Sequence, residues 1–173
     1  WKTPVEVNGS KRKGIGIAIG LHNTAFDLKH SAIVKMNADG TANVLSSASD
    51  TGQGTRTATA QVVAEVLGMK YKDVDVTTAD TMVTPRGYGN VASSGTPSAI
   101  LSAKLAADDV KQKLLLVAGE MLEVDPGTLE AKAGRIYVKD SPEVGVSIAK
   151  VCSGGFQITG TDTTPPISVL RDK

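Results

Sequence analysis

Between positions 100 and 121 the apolar residues Ile100, Ala103, Ala107, Val110, Leu114, Val117 and Met121 step alternately by three and four. That spacing predicts one long amphipathic helix, about 97–122, with a face buried along several turns. Leu101, Leu105, Leu115 and Leu116 broaden the stripe, which suits a central packing element better than a helix displayed for recognition. Thr96 as N-cap and Pro97 at the first helical position predict its start, and Asp125-Pro126-Gly127 its stop.

The other elements must pack around that helix. Ala58, Val62, Val63, Val66 and Leu67 recur at helical spacing and predict a second helix closed by Gly68. Residues 32–37 and 42–46 read as a hairpin around Asp39-Gly40. Val74 and Val76 alternate with Asp73, Asp75 and Thr77 as a half-buried strand. Residues 128–132 and 135–139 read as a second hairpin, 146–151 as a short helix, and 156–160 as a last strand before a Pro165-Pro166 tail. The glycine-rich run 14–20 reads as a strand with glycines on one face, and residues 1–13 as a mobile lead-in without structure of its own. The pattern predicts an α+β fold, a mixed or antiparallel sheet packed against two main helices. A hydrophobic content of 40% in 173 residues is enough for the core of one domain, residues 14–173, with the hairpin and short helix appended at about 126–160.

Two loops run from a strand into a helix start. The first, Ser49-Asp50-Thr51-Gly52-Gln53-Gly54-Thr55, carries two glycines where the backbone must turn tightly, a Gln53 amide that both donates and accepts, and a Thr55 placed to cap the helix. The second extends from Asp80 through Thr84-Pro85-Arg86-Gly87-Tyr88-Gly89-Asn90 to Ala92-Ser93-Ser94, a length that suggests a functional surface. Helix-start amides with the positive end of the dipole favour an anionic or acceptor-rich ligand. Asp50 and Asp80 read as turn-stabilising residues rather than catalysts.

Charge and composition narrow the chemistry. Lys and Arg number 19 against 18 for Asp and Glu, a formal charge of +1, and no one-sign run marks a nucleic-acid or membrane surface. His22 and His30, the two histidines, lack a metal-ligand spacing and are read as neutral or surface residues. The one cysteine, Cys152, excludes an internal disulfide framework and a thiolate metal cage, which fits a cytoplasmic protein. The chain starts at Trp1 rather than Met, which reads as a piece of something longer.

The order of these pieces resembles a known family. Gly14-Ile15-Gly16, Asp50-Thr51-Gly52-Gln53-Gly54-Thr55, the run 61–68, Asp73-Val74, Ala79-Asp80-Thr81, Pro85 and Ala92-Ser93-Ser94 together resemble the molybdopterin-binding region of the molybdenum hydroxylases, the xanthine dehydrogenase and aldehyde oxidase family, nearest its bacterial 4-hydroxybenzoyl-CoA reductase group. The resemblance implies a part of a molybdopterin-binding domain, either a fragment or a split subunit. It implies that Gly52, Gln53, Gly54 and Thr55 contact molybdopterin near the metal. It implies that Ala92, Ser93 and Ser94 hold the pterin and its phosphate, or a cytosine dinucleotide extension. It also implies hydroxylation or its reductive reverse at an electrophilic carbon. The partners would be the remainder of the molybdenum subunit and subunits with iron–sulfur clusters and flavin. Family members often carry Arg at the position of Ser94, and the family's general-base glutamate falls beyond the last residue, so the chain is expected to contribute no catalytic residue and no metal ligand. Read from the residues alone, a stand-alone phosphate- or nucleotide-binding module, or a purely structural one, remains the alternative.

Overall fold

A computed structural model describes residues 5–22, 29–154 and 159–163. Its centre is a mixed four-stranded sheet in the order β5-β4-β3-β9, with β3 Ser31–Met36, β4 Ala42–Ser46, β5 Val74–Thr78 and β9 Thr159–Thr163. Strand β3 pairs antiparallel with β4 and β9, and β4 pairs parallel with β5. A parallel pair needs a crossover. Helix α1, Thr55–Leu67, supplies it between β4 and β5.

The period-2 pattern of the strands puts Ala32, Val34 and Met36 of β3 on the buried face, with Ala42 and Val44 of β4 and Val74 and Val76 of β5. Register aligns them: Val44 lies opposite Val34 on one side and Val76 on the other, and Val34 lies opposite Gly160. Helix α2, Gly95–Leu122, crosses this face against β3 and β9 and packs beside α1. A side chain at Gly160 would run into the carbonyl of Ala106, so glycine there sets how closely helix and sheet approach. Small residues on α2, among them Ala99, Ala103, Ala106 and Ala107, keep the layers tight, and Val110 and Leu114 fill the core.

The buried stripe of α2 differs from the three-four pattern at both ends. Ala103, Ala107, Val110 and Leu114 are buried as expected, but Ala99 and Ala118 take the places expected of Ile100 and Met121, and Met121 is 43% exposed. Alternating steps of three and four repeat every 3.5 residues, whereas a straight helix turns every 3.6, so the true face drifts by about 20° per heptad. The helix also begins at Gly95, with Ser94 rather than Thr96 at the N-cap, and ends at Leu122 on a left-handed Glu123.

A three-stranded antiparallel sheet, β6 Leu129–Lys132, β7 Arg135–Val138 and β8 Ser141–Ser147, packs at the far end of α2. It joins α1 through Gly68, whose left-handed φ of 65° closes that helix and whose carbonyl accepts from Gly134 N–H at 2.7 Å. Helix α3, Ile148–Cys152, is capped by the Ser147 hydroxyl, two residues later than the sequence pattern places it, because β8 occupies the preceding stretch. Residues 156–158 of the expected last strand and the Pro165-Pro166 tail lie outside the described residues.

Two N-terminal expectations are corrected. Val5–Asn8 (β1) and Lys11–Lys13 (β2) form an antiparallel hairpin of their own across the Gly9 turn, where no regular structure is expected. Residues 14–20 form no strand, because no described strand lies beside them to pair with.

Candidate functional site

The loops before α1 and α2 meet. Between them lies a cleft of about 340 Å³ lined by Thr51 and Gln53 from one loop and by Asn90, Val91, Ala92, Ser93, Gly95, Thr96 and Pro97 from the other. Backbone Ser49 C=O joins the two, accepting from the Gln53 amide at 3.1 Å and from the Asn90 amide at 2.6 Å. A second join runs deeper, where Gln53 Nε2 donates to Thr55 Oγ1 at 2.7 Å and the Thr55 and Thr96 hydroxyls share a bond of 2.6 Å. Thr55 is fully buried. It therefore does not cap α1, contrary to expectation; Gly54 is the N-cap, at a φ of 80°, and no side chain of its own caps the helix.

The anion at the start of α1 belongs to the protein. Asp50 Oδ1 accepts from Gly52 N–H at 3.0 Å and Gly54 N–H at 3.2 Å, and Oδ2 accepts from Arg56 N–H at 3.0 Å. The bond from the Arg56 amide, with that from Gly52, holds this carboxyl below its ordinary range. Asp50 is thus the turn-stabilising residue its sequence position suggests. Gln53 is equally committed: its carbonyl oxygen accepts from the Thr51 amide and hydroxyl at 2.7 and 2.9 Å while its NH2 serves Ser49 and Thr55. All its hydrogen-bonding capacity braces the loop.

The start of α2 has no such carboxylate among the described residues. Ser94 is buried and turns its hydroxyl back to donate to Val91 C=O at 2.7 Å, leaving the helix without a side-chain cap. Ahead of it Ala92 and Ser93 hold left-handed φ values of 49° and 59°, a conformation that costs a non-glycine residue about 1–2 kcal/mol. Pro97 has no N–H, so Gly95 and Thr96 carry the first amides of this helix. Both residues line the cleft.

Of the residues singled out from sequence, Gln53, Ala92 and Ser93 line the cleft, whereas Gly52, Gly54, Thr55 and Ser94 support its walls. Sequence reasoning passed over Asn90. Its amide spans the two loops, and a side chain at Gly95 would collide with it. His30, read from sequence as a neutral or surface residue, is not at the surface: it is fully buried, with Nδ1 3.1 Å from Ser47 Oγ, and its pKa is lowered by desolvation against a partly opposing backbone bond at Gly89. Ser47 Oγ also accepts from Ser31 N–H at 2.9 Å, which ties the residue after β4 to the start of β3, and Tyr88 N–H donates to Lys29 C=O at 3.2 Å, which holds loop 85–90 beside them. Neither Asn90 nor His30 belongs to a periodic run; Asn90 lies in the long loop whose length was the signal, and His30 had none. Cys152 is buried and desolvation raises its pKa. Among the described residues no cluster of His, Cys, Asp or Glu is placed to hold a metal ion, and no helix is long and apolar enough to cross a membrane.

The geometry fits a phosphate-bearing ligand at one of the two helix starts. Uncapped amides, an exposed Ser93 hydroxyl and the positive end of a 28-residue helix face the cleft at α2. Fold and cleft define an α+β domain with an open cleft between two helix starts. Residues 2–168 match the family model of the molybdopterin cofactor-binding domain, and the chain belongs to that family. It is 33% identical over 133 residues to the 6-hydroxypseudooxynicotine dehydrogenase complex subunit gamma of Paenarthrobacter nicotinovorans, covering 77% of this chain and 17% of that protein. It is 34% identical over 141 residues to the putative xanthine dehydrogenase molybdenum-binding subunit of Escherichia coli (strain K12), covering 78% of this chain and 19% of that protein. Among solved structures, the reconstituted CO dehydrogenase from Oligotropha carboxidovorans superposes with a TM-score of 0.74 at 27% identity, over 79% of this chain and 18% of that one. The chain spans less than a fifth of the length of these relatives.

Proposed function

We propose that this chain forms part of the cofactor cradle of a cytoplasmic molybdenum hydroxylase-type oxidoreductase and holds the phosphate end of molybdopterin, or of its cytosine dinucleotide, at the start of α2. Ala92 and Ser93 present the backbone and a hydroxyl, Gly95 and Thr96 present amides, and Ser94 fixes the turn from behind. Gln53, Thr55 and Thr96 lock the opposite wall. The single observation that carries this reading is the start of α2 facing a cleft with no carboxylate of the described residues on it, in a chain whose α1 start already has the Asp50 carboxylate on the Arg56 amide.

When bound, the cofactor supplies the two-electron redox chemistry of hydroxylation or its reverse. This chain's residues bind and orient; none of them serves as acid, base or nucleophile. Substrate recognition, the general base, and the iron–sulfur and flavin centres belong to the remainder of the molybdenum subunit and to partner subunits. A common role also explains the breadth of the matches, since proteins named for 6-hydroxypseudooxynicotine, hypoxanthine and carbon monoxide match at 33%, 30% and 34% identity.

Metal and pterin analysis tests the reading, comparing this chain made alone with the assembly that co-purifies around it from its source. Molybdenum and a released pterin in the assembly and not in the lone chain are the expected result. An assembly with neither would overturn it, and phosphate binding by the lone chain would favour a stand-alone module.

A further inference from the structure

Residues 14–21, Gly-Ile-Gly-Ile-Ala-Ile-Gly-Leu, are unlike any other stretch of the described surface. Ile15, Ile17, Ile19 and Leu21 are 65%, 81%, 91% and 97% exposed, and they alternate with Gly14, Gly16, Ala18 and Gly20. The alternation is that of a strand, and none of these residues pairs with a described strand. Nothing among the described residues accounts for the glycines. Gly14, Gly16 and Gly20 do not have positive φ, and a side chain at any of them would meet no atom within 4 Å. Glycine kept in an extended segment without a positive φ often marks close approach by another backbone or a ligand.

We propose that residues 14–21 form a β-strand buried on both faces by the remainder of the molybdenum subunit, which pairs with its backbone, covers its isoleucine face with apolar side chains, and lays backbone against its glycine face. This deepens the cradle reading and rests on it. The occupant follows from three observations. The segment lies within the matched family domain, residues 2–168, so it is not an appended tail. Relatives carrying that domain are more than five times the length that this chain spans in them. A second copy of this chain is too small a partner: four aliphatic side chains bury roughly 250–500 Å², short of the roughly 800 Å² per partner of a standard interface.

The test uses the lone chain and the cofactor-loaded assembly from its source. In the lone chain, Gly16→Val and Ile17→Asp leave the melting temperature unchanged, because both positions are open. In the assembly, amides 14–21 exchange with solvent on the order of a hundredfold more slowly than in the lone chain. Both variants fail to assemble, whereas Leu116→Asp, at a 56% exposed position on α2, assembles normally. Equal exchange in the two samples overturns the inference, as does assembly of Gly16→Val at the wild-type level. Slow exchange in the lone chain together with a doubled sedimentation mass assigns the segment to a second copy and also overturns it. Molybdenum and pterin content of the same assembly separates the two readings: cofactor present with a fast-exchanging segment refutes this inference alone, and cofactor absent refutes the cradle.

Discussion

Helices α1 and α2 begin side by side, at hydroxyls 2.6 Å apart, yet they are finished in opposite ways. At α1 the positive φ falls on glycine, and the protein's own carboxylate takes the amides of Gly52, Gly54 and Arg56. At α2 the positive φ falls on Ala92 and Ser93, and no side chain caps the helix. The first start puts its positive φ on glycine and has a carboxylate of its own on the Arg56 amide. The second keeps strain and unmet amides together in one cleft. Strain of this kind persists where surrounding structure enforces it, and it gathers at binding sites. The first loop is thus braced from within, and the second is the one proposed as the holder.

The hydroxyl bridge between them gives the largest expected effect. Thr55→Val leaves the Gln53 amide and the Thr96 hydroxyl without their buried partner and lowers stability by about 1–3 kcal/mol in urea unfolding. Thr55→Ser keeps the bridge and costs less. If both variants unfold alike, the bridge does not join the loops. Next comes Gly54→Ala, which forces a side chain to φ 80° and costs about 1–2 kcal/mol by the same measurement. The mirror experiment, Ser93→Gly, relieves strain and raises stability by up to about 1 kcal/mol while loosening cofactor retention in the assembly. A destabilising Ser93→Gly would show that the left-handed turn at α2 stores no strain.

The smallest effect depends on pH. Asp50 titrates below its ordinary value near 3.8 because the backbone amide of Arg56 and then that of Gly52 stabilise its charge. Its contribution to stability is present above that value and is lost as the pH falls from there through the lower folded-state value. Asp50→Asn therefore removes part of the acid limb of the stability curve. An unchanged limb in thermal melts between neutral pH and pH 3 would mean that the carboxylate does not hold the start of α1.

Periodic elements were the legible ones. The α2 stripe, the hairpin around Asp39-Gly40, the Gly68 stop and the hairpin at Ala133-Gly134 each follow from local spacing or turn chemistry. Strand β8 was not legible, because Pro142, Glu143 and Gly145 interrupt its alternation and its pairing with β7 carries a bulge. The run 14–20 misled for the opposite reason: its pattern is a strand's, and pairing is a property of neighbours rather than of residues. At the site, the sequence indicated both loops but not the division of labour between them. That division rests on where the Asp50 carboxylate and the Gln53 amide point, and both spend themselves on neighbours two to six positions away. Asn90 and His30 act across the fold, on Ser49 and Ser47, and no local pattern announces them.

The central claim is that the open start of α2 holds an anion while the start of α1 supplies its own. Ser93→Asp puts a carboxylate into the α2 cleft at a left-handed position that Asp tolerates, and so gives α2 what α1 already has. Ser93→Asn has the same shape without the charge. Molybdenum and pterin content of the purified assembly, read for both variants, is the decisive measurement. The account predicts at least a roughly tenfold loss of both for the Asp variant, the equivalent of about 1.4 kcal/mol of repulsion, and near wild-type content for Asn. Equal content in the two variants would contradict it and place the cofactor's charge elsewhere.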